Sequence, residues 1–527
     1  MTRWFNTAGP CVPSDHYMIP ASVRLPEVPR LVARKSCFVV HAPRQTGKTT
    51  ALQALASELT ASGRHAALLS SCEAGRAWGD DIGAATRAIL DEIRAAAEDS
   101  LPAGLRPPPW PAVSEGTQLG MALRAWAQAC PRPLVLFFDE IDALQGRTLI
   151  SVLSQLRSGY RGRPDNFPVS VALCGLRDVR DYKVASGGDP SRLGTSSPFN
   201  IKIESLRLGD FTLDEVRELY GQHTAETGQT FTPEAMERAF HLTAGQPWLV
   251  NALAYEIVDK IQIPTSTPIT VDHVEQAKER LILARATHLD SLADKLTEPR
   301  VRRVMEPVLA GTVTVFEPFS DDVLYARDLG LITQTSPVEV ANPIYREVIA
   351  RVLADGLLDY TDNVPRPRSF ALPDGRLDFP RLLAEFAAFW TANGDILTTR
   401  QQYHEAGPHL VLMAYLQRVV NGGGYVDREY GVGRGRIDLL LRWPHPAKDG
   451  TRAWQREALE LKVWRQGDPD PLREGLGQLD AYLDRLGLDT GILAVFDRRP
   501  NAEPIDRRTT ITHTTSPTGR TITLFRG

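Results

Sequence analysis

The sequence predicts a multidomain α/β protein with an N-terminal parallel sheet, a helical middle section and a second α/β domain at the C-terminal end. Short apolar runs alternate with amphipathic segments over residues 1–205, and the strand signals stop after Leu206. A Pro-rich polar stretch at 358–378 then precedes the last domain. With 527 residues the chain is too long for one core, because domains average about 150 residues.

The N-terminal domain, residues 1–205, is predicted from short runs rich in β-forming residues. These runs lie at 37–40, 65–69, 134–138, 169–173 and 201–203. Helical segments separate them, which is typical of a parallel sheet with helices on both faces. The expected architecture is therefore a three-layer α/β domain.

The middle of the chain is predicted to be helical. Segments in 206–283 show helix start signals or a 3.6-residue apolar period, which indicates a small helical lid. In 284–357 a helix reaches Leu329-Gly330, a hairpin is turned by 335–337, and another helix begins after Pro343. This order is a winged-helix pattern. We expect a linker at 358–378 and the last domain at 379–527.

Composition excludes several classes of protein. The net charge of −4 argues against a basic protein that coats nucleic acid, so contacts with phosphates must come from local patches. The five cysteines include no CxxC pair, which argues against a disulfide scaffold or a zinc site. No stretch approaches the roughly 18 apolar residues of a membrane span. We therefore expect a cytoplasmic protein without a membrane partner.

A phosphate-binding loop is predicted at HAPRQTGKTT, residues 41–50, directly after the first apolar run. Such loops wrap phosphates with backbone N–H groups at a helix N-terminus, while a lysine adds charge and a hydroxyl ligates Mg²⁺. Gly47, Lys48 and Thr49 fill the last three positions, followed by Thr50. Ala42 replaces the first glycine, which is compatible with the loop if its φ is negative.

The matching acidic strand end is LVLFFDEID, residues 134–142. Asp139 is expected to hold the magnesium-bound water, and Glu140 is placed to polarise the attacking water. Together with GLRDVRDY at 175–182 and AGQPWLV at 244–250, these motifs resemble AAA-like ATPases of the STAND and archaeal type over residues 1–357. The resemblance implies ATP and Mg²⁺ as ligands, and turnover that is often slow.

Two further nucleotide contacts follow from that resemblance. Pro247, in the turn Gly-x-Pro, is implied to touch the nucleotide from the lid, and the winged helix is implied to transmit the nucleotide state. Arg177 is a candidate sensor of the γ-phosphate. The alternative is that Arg177 is an ordinary arginine in an exposed loop.

A second group of polar residues lies near the C-terminal end. Asp438 is on the predicted strand RIDLLLRW, and on the next strand Glu460 and Lys462 share one face because they are two residues apart. Gln478 and Tyr482 share a face of the following helix, since they are four apart. Two carboxylates and an amine at this spacing are suited to metal-assisted cleavage of a phosphodiester.

The order D…ExK…QxxxY resembles the PD-(D/E)XK nuclease family. The resemblance implies Mg²⁺ or Mn²⁺ at Asp438, Glu460 and the Leu461 carbonyl, with Glu405 as a further acid. Glu385 and Glu429 compete for that last role. An AAA-like ATPase joined to such a domain also resembles a prokaryotic group of ATPase–nuclease fusions, which implies DNA rather than RNA as substrate and a role against mobile DNA.

The sequence leaves rival interpretations open. ELK at 460–462 also fits an ordinary strand with polar and apolar residues in alternation. The chain would then be an ATPase switch whose C-terminal domain only binds nucleic acid or a protein partner. A DNA-remodelling motor is a third possibility, favoured by the winged helix. Our interpretation is that ATP binding controls the nuclease, relayed through a partner or a homo-oligomer.

Overall fold

The computed structural model describes residues 3–177, 201–284, 287–309, 320–358, 370–399, 408, 411–413, 415–416, 424–432, 435–447 and 451–527. Contacts divide the chain into two compact units. The first unit is Met1–Ala284 with Leu324–Leu331, and the second is Arg285–Val323 with Ile332–Gly527. Each unit is described by itself.

The first unit is built on a five-stranded parallel sheet, which confirms the predicted parallel α/β domain. In space the strands follow the order β2-β3-β4-β1-β5, so β4 lies between β1 and β3. Each strand overlaps one of the five predicted apolar runs. The strands are β1 (Cys37–His41), β2 (Ala66–Ser71), β3 (Leu134–Asp139), β4 (Ser170–Gly175) and β5 (Lys202–Arg207).

Helices cover both faces of this sheet because the strands are apolar on both sides. In β3, Leu136 and Phe138 pack in one core cluster, whereas Val135 and Phe137 pack in the other. The first cluster includes residues of α4, α5 and α6, and the second includes residues of α2 and α3. The helices are α1 (Ala21–Arg24), α2 (Val28–Ala33), α3 (Lys48–Ala61), α4 (Ile82–Ser100), α5 (Gln118–Ala129) and α6 (Gly146–Gly159).

Four helices with conventional start signals follow the sheet. Thr212 caps the first of them through a capping box with Glu215, and Thr232 caps the second. The third begins at Pro247 and continues into a π-helical turn at Glu256–Ile261. The helices are α7 (Leu213–Thr227), α8 (Pro233–Thr243), α9 (Pro247–Tyr255) and α10 (Val271–Leu283).

Four further described helices and a short bridge follow within residues 287–358. A bridge between Ile332 and Val340 separates two helices, and the turn between them contains a cis Ser336–Pro337 bond. The helices are α11 (Thr287–Lys295), α12 (Pro299–Leu309), α13 (Asp321–Asp328) and α14 (Pro343–Leu358). The segment Leu324–Leu331 groups with the first unit.

Part of the predicted linker is packed structure. Phe370 and Leu377 are buried, and Ala371 forms a bridge with Leu377. The Gln455 side chain bonds both the N–H and the carbonyl of Leu377. The structure therefore differs from the prediction at 370–378, because these apolar residues pack although their surroundings in the sequence are polar. Residues 359–369 lie outside the described residues.

A six-stranded mixed sheet forms the C-terminal part of the second unit, with the order β10-β11-β9-β8-β7-β6. β6, β7 and β8 are antiparallel neighbours, and β8 and β9 are parallel. The strands are β6 (Tyr425–Val432), β7 (Gly435–Pro446), β8 (Arg452–Trp464), β9 (Thr490–Asp497), β10 (Thr510–Thr515) and β11 (Thr521–Arg526). The helices are α15 (Phe379–Thr399), α16 (Leu472–Leu486) and α17 (Ile505–Arg508).

Two expected absences can be compared with the described part of the chain. All five cysteines are free thiols. Among the described helices, none combines the length and the apolarity needed to cross a membrane.

Candidate functional site

A cavity of about 470 Å³ opens beside the carboxyl edge of the parallel sheet, where β1, β3 and β4 end. Loops that leave this edge meet there, which makes it the usual ligand site of open α/β sheets. The predicted phosphate loop, the acidic end of β3 and the start of α9 all line the cavity. Its lining includes Arg44, Thr46, Gly47, Lys48, Thr49, Thr50, Glu73, Arg76, Asp139, Glu140, Asp142 and Pro247.

The phosphate loop connects β1 to α3 through a sharp turn. Gln45 and Gly47 have positive φ values of 59° and 88°. The Thr46 hydroxyl donates to the Pro43 carbonyl at 2.9 Å, which closes the turn. Because Gly47 is the N-cap of α3, the first N–H groups of this 14-residue helix begin at the loop.

Lys48 is held inside the loop. Its Nζ donates to the carbonyls of Ala42 and Pro43 at 2.9 and 2.8 Å. Burial lowers the pKa of Lys48, and nearby acids, Asp139 among them, oppose this effect. Within the described residues, the ammonium therefore has only neutral carbonyls as hydrogen-bond partners, and an anion would be a stronger one.

Thr49 and Asp139 meet at the phosphate loop. Thr49 Oγ1 donates to Asp139 Oδ2 at 2.6 Å, although the residues are 90 positions apart. Asp139 is buried, and its Oδ1 accepts from the Glu140 N–H at 2.9 Å. A hydroxyl and a carboxylate beside a phosphate loop fit the oxygen ligands that Mg²⁺ prefers.

Glu140 lies next to Asp139 in a left-handed backbone conformation, with a φ of 52°. Burial raises the pKa of Glu140, the charges of Glu73, Asp139 and Asp142 raise it further, and Arg44 lowers it. Burial and the neighbouring negative charges thus make the Glu140 carboxylate a better proton acceptor than an exposed one. Such a carboxylate is suited to accept a proton from water.

The remaining predicted nucleotide contacts have different surroundings. Ala42 is fully buried, and Thr50 Oγ1 accepts from the Cys11 N–H at 3.0 Å. Pro247 lines the cavity. Arg177 instead pairs with Asp328 at 3.6 Å and lies over the Tyr325 ring, while Gly175 and Leu176 form the cavity wall at the end of β4.

The structure also brings residues to the cavity that the motifs did not indicate. A segment at 6–11 forms one wall, where the Thr7 carbonyl accepts from Trp248 Nε1 at 2.8 Å. Arg24 bonds the Thr46 and Gly209 carbonyls. Glu73 and Arg76 follow β2, so the rule that loops after parallel strands share one edge would have found them. No sequence signal marks the segment at 6–11.

The second group of predicted residues lies at a fork in the mixed sheet. β7 pairs with β8 from Pro446–Arg452 to Leu439–Leu459. Beyond that point β7 continues against β6, and β8 continues against β9. Asp438 and Glu460 directly follow the last pair, and Asp438 Oδ2 accepts from the Leu461 N–H at 2.8 Å.

Glu460 is a buried carboxylate with one unpaired oxygen. It is 3% exposed, and its Oε1 lies 3.1 Å from Lys462 Nζ. Among the described residues, Glu460 Oε2 has no hydrogen-bond partner. Burial raises the pKa of Glu460 above its usual 4.5, the charge of Asp438 raises it further, and Lys462 opposes both. A cation here would relieve the repulsion between the carboxylates.

Helix α16 brings Gln478 to the same place. Gln478 Oε1 accepts from Lys462 Nζ, and its Nε2 donates to Glu474 at 3.1 Å. Glu474, which the motif did not include, also lies 3.8 Å from Lys462. An open cleft of about 1000 Å³ is lined by Lys462, Gln478 and Tyr482, along with Arg473, Glu474 and Arg485.

Glu405, the further acid predicted for this site, lies outside the described residues, as does the glycine-arginine pair at 433–434. Within the described residues, no group of three or more His, Cys, Asp or Glu side chains is arranged to hold a metal ion. Asp438 and Glu460 therefore form a pair to which a further ligand would have to be added.

No protein-family model matches the chain, and no curated protein matches it. Its structure is similar to the Walker-type ATPase PABY2304 of Pyrococcus abyssi, with 12% identity and a TM-score of 0.47 over 66% of this chain and 99% of that one. It is also similar to the Holliday junction branch migration motor RuvB of Thermotoga maritima, with 16% identity and a TM-score of 0.34 over 62% of this chain and 92% of that one. Domain III of the Thermotoga maritima replication initiation protein DnaA has 12% identity and a TM-score of 0.31 over 50% of this chain and 92% of that one.

Proposed function

We propose that the first unit binds ATP with Mg²⁺ and hydrolyses it. The observation that supports this most strongly is the 2.6 Å contact between Thr49 Oγ1 and Asp139 Oδ2, next in sequence to the half-buried Lys48. A hydroxyl after the phosphate-loop lysine and an acid at the end of a neighbouring strand are the pair that holds Mg²⁺ in nucleotide sites. Bound Mg²⁺ would neutralise charge on the phosphate oxygens.

The chain's own groups have separable roles in this proposal. The N–H groups at the start of α3 and the Lys48 ammonium bind the phosphates, so Lys48 exchanges its two carbonyl acceptors for anionic oxygens. Glu140 orients a water molecule and accepts its proton. Pro247 and the segment at 6–11 enclose the rest of the nucleotide.

The test is calorimetric binding of ATP to the full chain, with and without Mg²⁺, followed by phosphate release. Lys48→Ala should weaken ATP binding in both conditions, whereas Thr49→Val should remove mainly the gain that Mg²⁺ provides. Ser57→Ala is a matched control, because it removes an exposed hydroxyl from the same helix, α3. ATP binding that is unchanged in Lys48→Ala would refute the proposal.

We also propose that the fork of the mixed sheet is a metal-dependent phosphodiesterase site acting on DNA. The supporting observation is the buried, unpaired Glu460 Oε2 beside Asp438 and Lys462. A domain that only binds has no physical need for such a carboxylate, because burying it costs stability. Asp438 and Glu460 would hold Mg²⁺ or Mn²⁺, which activates water, and Lys462 would stabilise charge on the phosphate.

Cleavage assays test this second site. Plasmid, linear and single-stranded DNA and RNA are incubated with Mg²⁺ or Mn²⁺, with the wild type compared to Glu460→Ala. Glu457→Ala is the matched control, because Glu457 is also a mostly enclosed acid on β8 and pairs with Gln455. Loss of cleavage in Glu460→Ala alone is expected. No cleavage by the wild type under any of these conditions would favour the rival in which this domain only binds.

Control of the nuclease by ATP is the third part of the proposal. Gly330 packs so closely on Pro43 of the phosphate loop that a Cβ at 330 would lie 2.8 Å from the proline ring. Asp328, two residues earlier, holds Arg177. The segment Leu324–Leu331 is flanked in sequence by the second unit, so its displacement would be passed along the chain. A cleavage rate that changes neither when ATP is added nor when Lys48→Ala is introduced would exclude such control.

The biological role and assembly rest on the resemblance of the motifs. We propose a cytoplasmic protein that acts on foreign or mobile DNA. It would act either as a homo-oligomer or together with a partner protein. Light scattering with and without ATP and DNA would establish the oligomeric state. A monomer under every condition would exclude a homo-oligomeric relay.

A further inference from the structure

Several positively charged side chains line the cavity that holds the loop at 41–50. Arg24, Arg44, Lys48 and Arg76 all line it. Lys48 is engaged by the Ala42 and Pro43 carbonyls, and Arg24 by the Thr46 and Gly209 carbonyls. Within the described residues of the first unit, the side chains of Arg44 and Arg76 make no hydrogen bond or ion pair, so both guanidinium groups are available to a ligand. Arg44 belongs to the loop at 41–50, whereas Arg76 lies on a separate turn after β2.

Arg76 stands on a turn that is fixed to the acidic end of β3. It belongs to a 3₁₀ helix, Glu73–Trp78, directly after β2. The N–H of Cys72 donates to the Asp139 carbonyl at 2.8 Å, which ties this turn to the strand that carries Asp139 and Glu140. Gly75 is buried so tightly that a Cβ there would lie 2.7 Å from the Leu144 side chain. The turn is thus a packed platform and not a loose loop.

The 3₁₀ geometry also sets the direction of Arg76. Side chains three residues apart in such a helix eclipse each other, so Arg76 lies on the same side as Glu73. Glu73, Arg76 and Glu140 all line the same cavity. Arg76 therefore faces the region where Glu140 would orient the attacking water.

We propose that Arg76 is a catalytic residue that acts within its own chain, stabilising the charge on the γ-phosphoryl group as it is transferred. This inference rests on the proposed ATP hydrolysis. The water oxygen forms a bond to the γ-phosphorus, the bond from that phosphorus to the β–γ bridging oxygen breaks, and the water proton passes to Glu140. The products are ADP and phosphate. Negative charge grows on the bridging and γ oxygens, where a guanidinium donates two hydrogen bonds.

The test measures ATP hydrolysis and the affinity for a non-hydrolysable ATP analogue in the full chain. Arg76→Ala should lower kcat by about 100-fold, the usual effect of removing one charge-stabilising donor, and change analogue affinity by less than about threefold. Arg76→Lys should recover only part of the rate, because a point charge lacks the planar fork. Arg87→Ala is the control and should leave both values unchanged. Arg87 is an exposed arginine on α4, and it pairs with Glu115.

A mixing experiment separates action within one chain from action between two copies. Arg76→Ala keeps the phosphate loop, and Lys48→Ala keeps Arg76. Mixing the two variants should give no more hydrolysis than their sum, and wild-type activity per molecule should not change with protein concentration. Activity restored by mixing, or a kcat unaffected by Arg76→Ala, would overturn the inference while leaving ATP hydrolysis intact. A wild type without hydrolysis would instead refute the proposed function itself.

Discussion

Glu460→Gln is expected to stabilise the protein and to abolish its cleavage activity. The wild-type residue is 3% exposed, its Oε2 has no partner among the described residues, and the negative Asp438 is nearby. An unsatisfied buried polar atom costs about 1–3 kcal/mol, and a charged one costs more. Glutamine has the same shape, keeps an oxygen for Lys462 and turns the unpaired oxygen into an N–H donor.

The expected gain in the free energy of unfolding is therefore about 1–3 kcal/mol, at pH 8 in a chelator. For a unit of about 200 residues this raises Tm by about 2–4 °C per kcal/mol. The size of this gain in the free energy of unfolding depends on pH. Because the folded state raises the pKa of Glu460, the cost is absent below the usual pKa of 4.5 and grows as pH rises through the folded value. The difference between the two proteins should shrink at pH 5.

Scanning calorimetry of the full chain measures this, and Mn²⁺ titration extends it. Mn²⁺ should raise the Tm of the wild type, because an ion that binds only the folded state stabilises it, and should have little effect on Glu460→Gln. Two results would refute the reasoning: a variant less stable than the wild type at pH 8, or the same response to Mn²⁺ in both proteins.

Three further predictions concern the rest of the chain. Lys48→Ala should weaken ATP binding by about 10–100-fold, as the loss of charged hydrogen bonds implies, and calorimetric titration measures it. Gly245→Ala should destabilise the first unit by at least about 2 kcal/mol in calorimetry, because the position has a φ of 78° and a Cβ would lie 1.9 Å from the Phe211 carbonyl oxygen. Burial lowers the pKa of His288 from 6.5 to about 4, so its contribution is present above pH 6.5 and is lost as pH falls to 4. Unfolding followed at pH 7 and pH 4.5 should show a smaller loss in His288→Phe than in the wild type.

The sequence predicted the elements whose causes are local. Each of the five apolar runs of the first unit overlaps a strand. In β1 to β4 burial on both faces demands continuous apolar residues, whereas β5 is a partly exposed edge strand. The phosphate loop and the acidic strand end were predicted from the sequence, because the chemistry of such motifs requires particular residue types at fixed spacing. The contact between Thr49 and Asp139 then follows from parallel strands ending at one edge.

What the sequence did not reveal depends on distant contacts. The bond from Trp248 to the Thr7 carbonyl joins residues 241 positions apart, and although Trp248 lies in AGQPWLV, Thr7 belongs to no motif. Arg177 was a candidate phosphate sensor, yet its partners, Asp328 and Tyr325, come from a helix about 150 positions later. Phe370 and Leu377 were hidden within a polar stretch, where two apolar side chains give no period.

The wall formed by residues 6–11 has a consequence for protein synthesis. Its partner Trp248 leaves the ribosome long after the first strands, and the neighbouring bond from Arg3 to Glu226 spans 223 positions. Translation proceeds at about 5–20 residues per second, so these first residues wait on the order of ten seconds or more for their contacts. A nascent chain therefore has the loop at 41–50 before Trp248 can close the cavity beside it. The ATP binding proposed above would then come late in folding, and it would stabilise the completed first unit and not its early strands.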